Sequence, residues 1–143
     1  MARKVIAVFE STLQKTYEWL HDILESLEWD DPQKAYQALR ATLHALRDRL
    51  PMEVAVKLGA ELPMLIRGFY YEGWKPLQTP IKIRHLDDFL ELTRFYLNGS
   101  MEMQRQDIET IVTVVLSTME NHIDPGEIDH IMKVLPEPLL ALF

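Results

Sequence analysis

Apolar residues recur at three- and four-residue steps along most of this chain, which is the spacing that lines one face of an α-helix. The first such stripe covers 13–27, and its helix can begin as early as Val5. Asp31 and Pro32 then supply an N-cap and a first helical position for a second helix over 33–50. No stretch alternates apolar and polar residues, at the two-residue period of a strand, over a useful length. The pattern therefore predicts an all-α fold.

The stretch 50–76 interrupts this pattern twice with a Leu-Pro pair. Proline is accepted in the first turn of a helix but breaks a helix interior, so Pro51 and Pro63 each predict the start of a new helix. Gly73 then provides a helix stop, and Pro76 prevents the helix from resuming. Two short helices are therefore expected after the second long one.

Three further helices are predicted in the second half of the chain. The first starts near His85 and ends at the Asn-Gly pair 98–99, because both residues accept left-handed backbone geometry. Ser100 is placed to cap the next helix, which carries an apolar stripe over 108–119. The sequence Asp-Pro-Gly-Glu at 124–127 then predicts the last helix start, with the two acids as a capping pair.

The Leu-Pro pairs that end at Pro63 and Pro136 are 136 − 63 = 73 residues apart, and the same shift aligns the helices before them, apolar on apolar. Any two amphipathic helices give some matches of this kind. The shared Leu-Pro pair and the common order of elements favour a duplication instead. We therefore expect a single compact helical domain of about six to eight helices. It would span 1–143, with two similar halves at 12–74 and 85–143 and a linker at 75–84.

Composition narrows the classes of function. A chain of 143 residues can bury a core of its own. Without cysteine it has no disulfide and no thiol nucleophile, which favours a reducing cytosol. Its net charge of −7 lacks the basic excess that nucleic acids and anionic membranes attract. No apolar run has the roughly 18–20 residues of a membrane span, and 5–9 is too short for a signal peptide. We expect a cytoplasmic protein that binds neither nucleic acid nor membrane.

One candidate site lies on the second helix. Arg40, His44 and Arg47 follow each other at four- and three-residue steps, so they project from one stripe beside the leucine face. Together they could bind an anion. The alternative is a solvated stripe whose arginines pair with carboxylates such as Asp48 or Glu61, since isolated surface pairs contribute little and need no functional explanation.

The aromatic end of the stretch 50–76 is the second candidate. It carries Arg67, Tyr70, Tyr71, Glu72 and Trp74. Adjacent tyrosines point to different sides of a helix, so one of the two is expected to lie away from the core. Tryptophan, tyrosine and arginine are enriched at binding hot spots, which favours a partner surface or a self-association surface here. The alternative is that the indole anchors the helix exit and the tyrosines fill the join between the two halves.

The histidines give little support for a metal or a cofactor. His122 and His130 lie near three acids, but Asp124 and Glu127 are already explained as helix caps. The chain has no HExxH pair, no nucleophile elbow and no phosphate-binding or calcium-binding loop. We therefore expect no metal site and no cofactor.

Four segments, in this order, carry a resemblance to a known family. They are TYEWLHDILESLEW, AYQALRATLHALRDRLP, AVKLGAELPMLIRGFYYEGWKP and HIDPGEIDHIMKVLP. The chain resembles, over nearly its whole length, the bacterial family catalogued as domain of unknown function 2267. The third segment is the most specific, since it is too long and irregular to arise from helical periodicity alone. The resemblance implies an all-helical, cytoplasmic bacterial protein, and it implies no activity.

These observations favour a non-enzymatic helical module for protein interaction or regulation. Its partner surface, or its self-association surface, is expected at the aromatic end of 50–76. The alternative is a protein or enzyme that takes a small anionic ligand near Arg40, His44, Arg47 and Arg67.

Overall fold

The computed structural model describes residues 4–99 and 103–143, and within them the chain is helical without a strand. The all-α prediction is therefore confirmed. Seven α-helices follow one another in this part of the chain: α1 Ala7–Leu27, α2 Pro32–Arg49, α3 Met52–Glu61, α4 Met64–Tyr71, α5 Leu86–Leu97, α6 Arg105–His122 and α7 Pro125–Val134. Short 3-10 helices add Pro76–Gln78 and Glu137–Leu142.

Most helix boundaries fall where the punctuating residues predict them. The Asp31 side chain accepts a hydrogen bond of 3.0 Å from the backbone N–H of Gln33 and so caps α2. Pro51 and Pro63 each precede a helix, but they occupy the N-cap and not the first turn, with ψ near 150°. The end of α5 is also as predicted, since Asn98 has a φ of 52° in the left-handed region.

The caps predicted for α6 and α7 have different outcomes. Ser100 lies outside the described residues, and α6 instead begins with a capping box between Gln104 and Asp107. The prediction that Asp124 and Glu127 form a capping pair at the start of α7 is wrong. Asp124 is the N-cap and Pro125 is the first helical residue, but the Asp124 side chain makes no capping hydrogen bond.

Helix α2 forms the centre of the fold. It packs against α1, α4, α5 and α6. Its alanines at 35, 38, 41 and 45 are fully buried, and such small side chains let neighbouring helices approach closely. One hydrophobic core draws on helices from both ends of the chain, including Trp19 of α1 and Phe89 of α5.

The elements on either side of 75–84 share an order and a spacing. Helices α2 and α6 both have 18 residues, α3 and α7 both have 10, and the offset between starts is 105 − 32 = 73 and 125 − 52 = 73. Equal lengths do not by themselves distinguish a duplication from similar helices, so the internal repeat stays a prediction.

The segment 75–84, predicted as a linker, is hydrogen-bonded to α2, because the Ile81 N–H donates to the Asp48 carbonyl at 2.9 Å.

Candidate functional site

The polar stripe of α2 is directed at the C-terminal end of α4. His44 Nε2 lies 2.6 Å from the Phe69 carbonyl oxygen. Arg47 Nη1 donates to the carbonyls of Tyr70 and Glu72 at 2.8 and 2.9 Å. The last carbonyls of a helix have no partner within that helix, so these two side chains satisfy groups that would otherwise be buried and unbonded.

A carboxylate and a phenol complete the surroundings of Arg47. Its side chain is 1% exposed, and Nε donates to Asp48 Oδ1 at 2.9 Å. The Tyr96 hydroxyl donates to the other Asp48 oxygen. A buried guanidinium needs both a counter-charge and hydrogen-bond acceptors to be stable, and here it has both. Arg47 is therefore a structural residue that joins α2, α4 and α5.

Arg67 is apart from the other three residues of the predicted anion site. Arg67 lies at another helix end, where it donates to the carbonyls of Gly59 at 2.8 Å and Leu62 at 2.9 Å and so caps α3. Arg40 is half-buried and has no ion pair with any described residue. The expected pairing with Asp48 is present, but the alternative of a solvated stripe is wrong for His44 and Arg47, because α4 covers both side chains.

Burial sets the charge state of His44. Desolvation is the main cause that lowers its pKa to about 4, and the positive charges of Arg47 and Arg40 act in the same direction. The hydrogen bond to Phe69 opposes this shift without cancelling it. A carbonyl oxygen can only accept, so Nε2 carries the proton of a neutral ring. A neutral histidine bonded to the backbone is a poor anion ligand.

The aromatic end folds back on α3. Tyr70 is fully buried, and its hydroxyl donates to the Ala55 carbonyl at 2.7 Å. Tyr71 is half-buried, donates to the Val56 carbonyl at 3.3 Å, and lies so close to Gly59 that a Cβ at Gly59 would collide with its hydroxyl. The two tyrosines thus divide between core and boundary as predicted.

Trp74 and Glu72 complete this end of the chain. The Trp74 ring is half-buried and lies 5.5 Å from the Tyr71 ring, centroid to centroid. The Glu72 side chain is exposed. The tyrosines therefore stabilise the packing of α4 on α3, while Arg67 and Glu72 are the exposed members of the aromatic end.

An apolar groove of about 880 Å³ lies between α1, the start of α2 and α4, and we call it the α1–α4 groove. Leu13, Tyr17, Met64 and Leu65 are exposed along it. Glu72 is its single charged lining residue. The full lining comprises Phe9, Thr12, Leu13, Thr16, Tyr17, Leu20, Pro32, Gln33, Tyr36, Met64, Leu65, Gly68, Phe69 and Glu72.

The sequence did not indicate this groove, because Leu13 and Tyr17 belong to a stripe that resembles an ordinary core face. The one available signal is Gly68, a glycine inside an apolar helix. A Cβ built at Gly68 meets nothing within 4 Å, so this position leaves open space in the groove. Glycine costs about 1 kcal/mol in a helix relative to alanine, and no close contact here requires it.

The neighbours of His122 in the structure differ from the acids that lie near it in the sequence. His122 pairs with Asp22 of α1, Nε2 to Oδ2 at 2.7 Å, and its ring stacks on Trp19 at 5.0 Å between centroids. No group of three or more potential ligand side chains is placed to hold a metal within 4–99 and 103–143. In the same ranges, no helix has both the length and the hydropathy to cross a membrane.

Replacing Arg47 by Met is expected to lower the free energy of unfolding by about 3–5 kcal/mol, since the partly buried Asp48 and two carbonyls would lose the guanidinium that donates to them. Arg40→Met on the same stripe is the control and should change it by less than about 0.5 kcal/mol. Urea denaturation monitored by circular dichroism measures both. Equal losses in the two variants would contradict the structural role of Arg47.

Acid should weaken the fold through His44. The pKa of His44 is lowered to about 4 in the folded protein from 6.5. Between these two values, His44 is therefore protonated in the unfolded chain and neutral in the folded chain. Stability is therefore lost as pH falls from 6.5 towards 4, by about 3 kcal/mol in total.

The control for this titration is His44→Gln, which keeps a side-chain N–H donor and cannot titrate. Unfolding free energies at pH 7 and pH 4.5 should differ more in the wild type than in the variant. The same pH dependence in both proteins would refute the assignment to His44.

Comparison with protein families gives a match across most of the chain. The matching family is described as "Uncharacterized conserved protein (DUF2267)", and the match covers residues 16–142. It includes every residue of α2 to α7 and of the aromatic end. No curated protein matches the chain. Since the match extends over far more than half of its length, the chain belongs to the family of uncharacterized conserved proteins DUF2267.

Proposed function

We propose that this protein is a non-enzymatic helical module that binds protein, with the α1–α4 groove as the surface that receives a helix of the partner. The observation that carries the proposal is the groove itself. It is an open apolar depression of about 880 Å³ with a single charged lining residue, Glu72. Contiguous apolar surface that stays exposed on a folded domain is typical of an interaction site.

The chemistry of the lining favours a helix over a small molecule. A small-ligand site combines apolar walls with a few convergent polar groups that fix orientation. Two of the polar groups in the lining are already bonded, since the hydroxyl of Thr12 accepts from the backbone N–H of Leu65 at 2.9 Å and that of Thr16 donates to the Thr12 carbonyl at 2.7 Å. A partner helix needs only apolar anchors at one face, which is what Leu13 and Tyr17 can contact.

The positions of the candidate residues on α2 support a non-enzymatic role. His44 and Arg47, the groups with the most reactive chemistry on α2, are buried and bonded to backbone carbonyls. The proposal places the partner surface in the α1–α4 groove, beside the aromatic end, since Phe69 and Glu72 line the groove whereas Tyr70 does not. A cytoplasmic location, as the family resemblance implies, belongs to the same proposal.

A selection of helical peptides tests this function directly. A library of helical peptides with randomised apolar faces is selected on wild-type protein, with Gly68→Trp as the counter-selection. The indole fills the groove from a position that is open, so the variant should fold normally. We expect enriched peptides with apolar residues at i, i+3 or i+4, and i+7, and loss of binding to Gly68→Trp.

The matched control is Gly68→Ala, which adds a methyl group only and should still bind the selected peptides. Selection of no helical peptide, or equal binding to wild type and to Gly68→Trp, would refute the proposed function.

A further inference from the structure

The chain exposes several large apolar side chains just before and at the start of α1. Val5, Ile6, Val8 and Phe9 are 70, 52, 56 and 54% exposed. The first two precede the helix, and the other two lie in its first turn. Contiguous apolar surface that stays exposed on a folded domain is typical of an interaction site.

The described part of the chain does not provide a cover for these side chains. All residues from 4 to 11 are exposed, and the first buried side chain of α1 is Thr16. The bond from Leu65 N–H to Thr12 marks where α4 reaches α1. The segment 4–9, which we call the α1 start, therefore precedes the buried part of α1, and its last residue, Phe9, is also a lining residue of the α1–α4 groove.

The α1 start and the α1–α4 groove match each other in chemistry. The groove is an apolar depression whose single charged lining residue is Glu72. The α1 start is an apolar segment, helical over 7–9, whose single charged residue is Lys4. Opposite charges at the margins of two apolar surfaces favour one register and one partner over others.

Because both features lie on the same chain, we propose that the partner of the groove is a second copy of this protein. In the resulting two-fold dimer, the α1 start of each copy lies in the α1–α4 groove of the other. The contact is isologous, which is the commonest arrangement of soluble homo-oligomers. This inference rests on the proposed function, since it assigns the helix that the groove receives.

The exposed area is of the size that such a dimer needs. Eight apolar residues with more than a third of their surface exposed lie on the two features: Val5, Ile6, Val8, Phe9, Leu13, Tyr17, Met64 and Leu65. A fully covered aromatic side chain buries about 150–250 Å², so a half-exposed one offers about 75–125 Å², and the smaller aliphatic side chains offer less. Together the eight side chains offer several hundred Å², against the roughly 800 Å² that each partner contributes to a specific interface.

Two variants separate the two halves of this contact. Val8→Glu places a charge on the α1 start at a residue that does not line the groove, and an acid in the first turn of a helix favours the helix dipole. Gly68→Trp fills the groove and leaves the α1 start intact. The control for an exposed apolar side chain elsewhere is Phe95→Glu, because Phe95 is 71% exposed on α5.

Sedimentation equilibrium on the full chain measures the dimer dissociation constant of each protein. We expect a wild-type dimer that Val8→Glu and Gly68→Trp each weaken by about thirtyfold or more, as expected for loss of a hot-spot residue. Phe95→Glu and Gly68→Ala should leave the constant within about threefold of wild type.

Mixing the two weakened variants gives the sharpest result. Val8→Glu keeps an intact groove and Gly68→Trp keeps an intact α1 start, so a heterodimer retains one of the two contacts. Native mass spectrometry of an equimolar mixture should show the heterodimer well beyond the twofold excess over each homodimer that random pairing gives. A mixture without that excess, or a wild-type dimer that neither variant weakens, would overturn the proposal.

A wild type that stays monomeric up to millimolar concentration also overturns the dimer. If that monomer still selects helical peptides that Gly68→Trp refuses, the proposed function stands and only the identity of the partner is wrong. If the selection fails as well, both proposals fall.

Discussion

The carbonyl groups at the ends of α3 and α4 are the constraint on which the rest of this structure depends. These helices have only 10 and 8 residues, so a large share of their carbonyls lacks a partner within the helix. Arginine and histidine side chains supply the missing donors: Arg67 for α3, and His44 with Arg47 for α4. Each of these bonds also fixes the position of one helix on another.

The groove is a consequence of that arrangement. With its C-terminal end held by α2, α4 turns the face that carries Met64, Leu65 and Gly68 towards α1. The helix is too short to cover the start of α1, and Gly68 contributes no side chain to the space between them. The apolar surface that the fold leaves open therefore depends on the residues that make α4 short, which are Pro63 before it and Gly73 with Pro76 after it.

Local signals in the sequence predict where the helices begin and end, but they do not predict which helix faces are buried. Pro51, Pro63 and the pair 98–99 act through backbone geometry, which is local, so they predict boundaries correctly. Whether a polar stripe meets water depends on what packs over it, and nothing near Arg47 in sequence reveals that α4 does. For the same reason an exposed apolar stripe, such as that of Leu13 and Tyr17, cannot be distinguished from a core face by its period.

The state of the His44 ring tests most directly whether the polar residues of α2 bind the backbone of α4 or an external ligand. The measurement is the nitrogen-15 spectrum of the ring at pH 7, with and without inorganic phosphate. We predict a neutral ring protonated at Nε2, with a slowly exchanging proton and no response to phosphate, because the Phe69 carbonyl accepts that proton. A ring that titrates near pH 6.5, or whose signals move when phosphate is added, would contradict the account.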